Sequence, residues 1–168
     1  MMGLGILGRG VNVAKFLTEC GAELTITDLK KADQLATSLD KLKKFSNIKY
    51  TLGKHDLADF KGKDMVIKAA VVPLDSVYIA KARKNNIPIE MDASLFVKIT
   101  RLGSEASKLE KGSQIKIIGI TGTRGKSTTT HLIYAILNEA FKNTKRKAYL
   151  GGNVKGLATL PLLKKVKS

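Results

Sequence analysis

Apolar positions along the first hundred residues follow two alternating rhythms. Short runs at Leu24-Thr25-Ile26-Thr27, Ile48-Lys49-Tyr50-Thr51-Leu52, Met65-Val66-Ile67 and Ile87-Pro88-Ile89 have the length and composition of strands. Between them the spacing becomes helical. Val11, Ala14 and Leu17 fall on one face, Ala32, Leu35, Leu39 and Leu42 on another. Val77, Ala80 and Ala82 mark a third helix, closed by Asn85-Asn86 and Pro88. Strands alternating with helices predict βαβ units and therefore a mainly parallel α/β sheet with right-handed crossovers.

The rhythm stops in a polar, glycine-bounded stretch around Gly103 to Gly112 and restarts with the apolar run Ile115 to Ile120, followed by a loop and a helical pattern. Three segments are expected: a doubly wound domain over 1–102, a linker over 103–113, and the start of a second α/β unit over 114–168. Only Met1 and Met2 precede the first glycine loop, where a strand of ~5 residues normally stands. The second unit is too short for a complete domain. A fragment is the expectation.

Composition narrows the class. No run approaches the ~20 apolar residues of a membrane span, and no secretory leader pattern opens the chain. A lone cysteine, Cys20, excludes an internal disulfide and any multi-cysteine zinc site; it reads as a small packing residue. A cytoplasmic protein with no membrane association, and a monomer, are expected. The net charge of +16 raises nucleic-acid binding. Its 25 lysines against 5 arginines, dispersed along the chain, instead describe a solvated surface. No nucleic-acid partner is expected. His55 reads as a surface loop residue, and His131 lies one helical turn after Ser127.

Two glycine loops carry the candidate chemistry. Gly3-Leu4-Gly5-Ile6-Leu7-Gly8 matches G-x-G-x-x-G and precedes a helix, with Asp28 lying 20 residues after Gly8 at a strand end. Glycines there let main-chain N–H groups approach a diphosphate at the positive end of a helix. By itself the loop fits an NAD(P) site, another diphosphate or a plain tight turn. Asp28 fits either a ribose or base contact or a helix N-cap. The second loop, Thr121-Gly122-Thr123-Arg124-Gly125-Lys126-Ser127, follows an apolar run and opens a helix. That is the setting of a P-loop, although Ile120 stands at the first Walker glycine. After Lys126 the only acid is Glu139, 13 residues along the helix. At ~1.5 Å rise per residue it lies too far away to serve the phosphate end.

Together, Gly3-Leu4-Gly5, Ile118 to Thr128, Leu150-Gly151-Gly152-Asn153-Val154 and Met91-Asp92-Ala93-Ser94-Leu95-Phe96 resemble the muramyl ligases of peptidoglycan synthesis. The likeness is greatest to their D-glutamate-adding (MurD-type) branch; the L-alanine-adding branch is the alternative. The resemblance implies a Rossmann-like UDP-substrate domain followed by a P-loop ATPase domain. It also implies an ATP-dependent amide ligase, with Mg²⁺, that joins D-glutamate to UDP-MurNAc-L-Ala through an acyl phosphate. Gly122, Thr123, Arg124, Gly125, Lys126, Ser127 and Thr128 would hold ATP, with Lys126 catalytic at the transferring phosphoryl group and Ser127 on the metal. Gly5, Ile6 and Leu7 would face the UDP diphosphate, Asp28 the uracil and Asn153 the muramyl substrate. Leu7 replaces a common Ser or Thr, Ala69 to Pro73 lacks the usual Pro-Gly pair, and Arg124 replaces a frequent Asn. The family's later metal-binding acid, modified lysine and C-terminal amino-acid-binding domain would lie beyond Ser168. These 168 residues alone are therefore expected to lack ligase activity.

Overall fold

The computed structural model describes residues 1–106, 115–152 and 157–166. Four strands form: β1 (Leu24–Asp28), β2 (Ile48–Leu52), β3 (Val66–Ile67) and β4 (Ile89–Glu90). β1 pairs in parallel with β2, Leu24 opposite Ile48, and β3 in parallel with β4, Val66 opposite Ile89. The first three residues join these pairs. Met2 bridges in parallel to both Thr27 and Lys68. Gly3 N–H donates to Thr27 C=O and Met2 N–H to Ile67 C=O, each at 2.8 Å. The spatial order is β2–β1–(residues 1–3)–β3–β4, a doubly wound parallel arrangement with the order reversing at the chain's first residues. The predicted α/β, Rossmann-like class is what forms, and the first glycine loop leaves the sheet at its switch point.

Alternation along the strands sends side chains to two cores. On one face Ile26 and Leu4 pack with Val11 and Ala14 of α1 (Arg9–Glu19) and with Leu42, which follows the short α2 (Ala36–Asp40). On the other, Met2 and Val66 pack with Ile79 and Ala82 of α3 (Val77–Lys84). α3 ends where Asn85-Asn86 predicts. Asn86 takes a left-handed φ of 55°, and Ile87 N–H returns to Ala82 C=O at 3.0 Å. β4 forms later than the Ile87–Ile89 expectation. Pro88 has no N–H to give, so the ladder uses its carbonyl, which accepts from Val66 N–H at 2.9 Å.

Three expectations meet a different outcome. Helix α4 (Asp92–Ala106) runs past Gly103 into the segment read as linker. A single glycine costs a helix only about 1 kcal/mol, and buried Leu95 and Phe96 anchor its first turn in a core with Val13, Phe16 and Ile67. Residues 107–113 of that linker lie outside the described residues. The run Ile115 to Ile120, expected as the strand of the second unit, forms none and is largely exposed. Strand geometry is stabilised by a neighbouring ladder, and no described residue supplies one there. Cys20 caps α1 and is exposed rather than packed.

Helix α5 (Lys126–Ala140) buries none of its residues. By contrast the turn Leu160–Leu162 and α6 (Leu163–Val166) return to the sheet, where Ala158, Leu160 and Leu163 join the core of α1 and α4.

The tightest backbone approach is at Gly10, outside the three motif glycines. A Cβ there would lie 2.1 Å from the Leu4 carbonyl oxygen. Neither backbone can yield without moving α1 or the loop. Gly10→Ala is expected to destabilise the domain by about 1–3 kcal/mol, measured as a shift in the urea unfolding midpoint at unchanged slope.

Candidate functional site

The first loop is locked from beneath. Gly3, Gly5 and Gly8 take φ values of 92°, 65° and 84°, a left-handed run that only glycine adopts without strain. Asp28, at the end of β1, accepts the amides of Leu4 at 2.8 Å and Gly5 at 2.9 Å on Oδ2, and that of Lys30 at 2.9 Å on Oδ1. Ser38 donates its hydroxyl to the Gly5 carbonyl at 2.8 Å. The carboxylate thus faces the loop's own backbone. Beside the two readings of Asp28 left open by sequence, the structure adds a further role, a brace for the glycine turn.

Burial alone would raise the Asp28 carboxyl. The N–H donors of Gly5, Lys30 and Leu4, with the nearby Lys30 charge, outweigh it and hold the group below its ordinary pKa.

The bracing leaves a defined face to solvent. Gly5 N–H, expected at a diphosphate, is committed to Asp28. The amides of Ile6 and Leu7 find no acceptor among the described residues, and their side chains are exposed. Those amides lie at the N-terminal end of α1, where backbone dipoles favour an anion. Beside the loop, buried Lys68 at the end of β3 donates to the Val72 carbonyl at 2.8 Å and pins the strand exit.

Thr27 brings His55 in. Its ring Nδ1 lies 2.8 Å from Thr27 Oγ1 and its edge meets Tyr78 at a centroid distance of 5.1 Å. Burial lowers its pKa against the opposing pull of Asp28 and Asp59. His55 is a packed, half-buried residue, in place of the expected surface one.

At the second loop the expected helix forms, though the strand expected before it does not. Gly122 and Gly125 take φ values of 145° and 74°, and α5 starts at Lys126. Lys126 folds back over the loop and donates to the carbonyls of Gly122 and Thr123. No acceptor among the described residues reaches the amides of Thr123 to Ser127, so a row of donors stands at the helix mouth beside one ammonium group. Ser127 and Thr128 are exposed, as is Arg124. His131 places Nδ1 2.7 Å from the Ser127 carbonyl and so contacts the loop's helix rather than its open face.

No group of three or more His, Cys, Asp or Glu suited to a metal ion occurs among the described residues. Ser127 offers one exposed hydroxyl at the helix mouth, a donor that would serve a cation only together with groups a ligand supplies. Asn153 lies outside the described residues. The glycine pair before it is anchored, with Gly152 N–H donating to Thr159 Oγ1 at 2.8 Å.

Sequence reasoning passed over Ser38, Gly10, Lys68 and the pair Arg9–Asp92. Ser38 had one legible signal, a small polar residue interrupting the apolar face of Leu35, Leu39 and Leu42. The others lack a local signal.

Comparison with known proteins follows the same lines. No family model matches the chain. The UDP-N-acetylmuramoylalanine–D-glutamate ligase of Borreliella burgdorferi strain ZS7 is 40% identical over 155 residues, 92% of this chain and 30% of that protein. The ligase of the same description from Roseiflexus sp. strain RS-1 is 36% identical over 165 residues, 97% of this chain and 32% of its own length. That from Clostridioides difficile strain 630 is 34% identical over 151 residues, 90% and 30%. The chain therefore spans about a third of the length of the relatives it matches. Among the described residues no helix is long and apolar enough to cross a membrane.

The Asp28 brace has a pH signature. A carboxyl held below its unfolded value of about 3.9 contributes stability that is complete above that value and is lost as pH falls through the folded pKa. The stability gap between wild type and Asp28→Asn, read from urea unfolding, is expected to be open at neutral pH and to narrow below about pH 4. A gap that stays constant across that range contradicts the assignment.

Proposed function

We propose, for a chain that belongs to the MurD-type muramyl ligases by sequence, that its two glycine loops bind the two nucleotides of an ATP-dependent amide-bond synthesis. The observation that carries the reading is the pairing of unlike cradles in one chain. One is a sheet-switch-point loop braced by Asp28 and Ser38, the other a P-loop with open amides and Lys126.

The first loop would take the diphosphate of a UDP-linked substrate on the free amides of Ile6 and Leu7. Gly5 would act by its turn geometry and not by donating its own amide. Asp28 would reach a uracil only with the acceptor capacity its loop bonds leave. The second loop, Gly122 to Thr128, would take ATP, with Lys126 leaving the loop carbonyls for the terminal phosphates and Ser127 meeting the nucleotide's Mg²⁺. ATP supplies the activation of a carboxylate for attack by an amine. By the names of the relatives that carboxylate is that of UDP-MurNAc-L-Ala and the amine that of D-glutamate. Asn153 is assigned to the muramyl substrate on family pattern alone.

The first and third segments, 1–102 and 114–168, would be the UDP-substrate domain and part of the ATP-binding domain. With Glu139 the one acid after Lys126 and paired to Lys142 at 3.3 Å, these residues would bind without turnover in the cytoplasm as a monomer.

Calorimetric titration separates this reading from a nicotinamide-binding one. UDP-MurNAc-L-Ala is expected to bind and NADH not to bind; the reverse overturns it. Lys126→Ala is expected to weaken Mg-ATP binding by about tenfold or more, the loss of a charge-assisted contact. The same change should leave UDP-MurNAc-L-Ala affinity unchanged. No D-glutamate-dependent ADP release is expected from the 168-residue chain.

A further inference from the structure

We propose that Asp92 is a positioning residue that couples the first glycine loop to the Gly151–Gly152 turn through one hydrogen-bonded path. Arg9 follows Gly8, the left-handed cap of α1, so its backbone continues the first loop. Its guanidinium grips Asp92 with both faces of the fork, Nε to Oδ2 at 3.2 Å and Nη2 to Oδ1. The same Oδ2 accepts the buried amide of Thr159 at 3.0 Å. Thr159 then accepts Gly152 N–H on Oγ1. Three pieces of chain separated by 83 and 67 residues thus meet at one carboxylate that is 5% exposed.

Two neighbouring contacts constrain the geometry of this junction less. Apolar packing of Leu160 and Leu163 against Phe16 and Leu95 supplies adhesion, but it has no direction. The Lys164–Glu19 pair at 2.6 Å is exposed on both sides, the kind of pair that contributes little. A bidentate guanidinium–carboxylate contact is directional. Asp92 also stands in the first turn of α4, where the helix dipole favours its charge. Removing the carboxylate would break the bidentate contact with Arg9 and take the acceptor from the buried Thr159 amide. Asp92 spends its oxygens on Arg9 and Thr159, so its role is to hold the first loop and the Gly151–Gly152 turn in register, not to touch a ligand.

The functional consequence rests on the reading that the first loop takes a diphosphate. A diphosphate held at Ile6 and Leu7 would then sit at a fixed offset from the Gly151–Gly152 turn. Ligand occupancy at one end would stiffen the other.

Hydrogen–deuterium exchange on the whole 168-residue chain tests the coupling. Without ligand, Asp92→Asn is expected to accelerate exchange over 157–163 by about tenfold or more. Arg9→Gln, altered at the far end of the path, should do the same. Arg9→Lys, which keeps the charge, should restore part of the protection, and α3 should exchange as in wild type throughout. Thr159→Val should free the Gly152 amide alone.

With UDP as probe, protection at 4–9 is expected to spread to 151–152 and 157–163 in wild type and to stay confined to 4–9 in Asp92→Asn. Wild-type exchange over 157–163 in Arg9→Gln overturns the proposal, as does spread of protection in Asp92→Asn. If Asp92→Asn raises exchange in α3 as well, the variant has lost its fold, and Arg9→Gln with Thr159→Val decides. Failure of UDP to protect 4–9 counts against the diphosphate reading, while the ligand-free comparison still judges the coupling.

Discussion

Hydrogen bonds on both sides of Met1, Met2 and Gly3 hold this molecule together as one sheet. On one flank Gly3 N–H donates to Thr27 C=O and Thr27 N–H to Met1 C=O; on the other Met2 N–H donates to Ile67 C=O and Ala69 N–H to Met2 C=O. Without that central position, β1–β2 and β3–β4 would be two separate two-stranded ribbons, each marginal alone. The same three residues aim the glycine loop. Gly3 is already left-handed, with Ala69 so close that a Cβ would sit 2.8 Å from the alanine methyl. Sheet closure and loop position are therefore one constraint.

The molecule is short of acids, and it uses the buried ones as structural hubs. Among the described residues the buried carboxylates are Asp28, Glu90 and Asp92. Asp28 and Asp92 gather donors from distant segments, Glu90 from the helix that follows it. Asp28 gathers the first loop, and Asp92 gathers α1, α4 and the segment at Thr159. Glu90 accepts from Lys98 and Ser94 at the α4 entry, and those bonds hold its carboxyl below the ordinary range. A buried carboxylate stays ionised only when its lone pairs are met, and each of these is met by several N–H or O–H groups. The surplus of lysines, by contrast, is mostly solvated and organises little.

Both cradles use one device in two forms. A left-handed glycine, Gly8 or Gly125, caps the helix start and turns its first amides outward. The first cradle is rigid, with Asp28 and Ser38 bonded to its backbone from below. In the second, Lys126 spans the loop's own carbonyls, bonds that phosphate oxygens can replace. One loop is preorganised by side chains from elsewhere, the other by its own lysine.

Local chemistry was legible from the chain alone. Apolar spacing located α1, α3, β1 and β2, and the glycine patterns located both loops, because periodicity and turn preference act over a few residues. The strand expected at 115–120 failed, since a strand is defined by its neighbour. Helix α4 was passed over because its polar, glycine-containing sequence hides a short buried face. What Asp28 binds, and that Arg9, Asp92 and Thr159 meet, was decided only by tertiary structure. Those partners lie 23 to 83 residues apart. Nothing in the spacing of a sequence specifies which distant donor a carboxylate meets until the sheet order and helix packing bring the two within hydrogen-bonding distance.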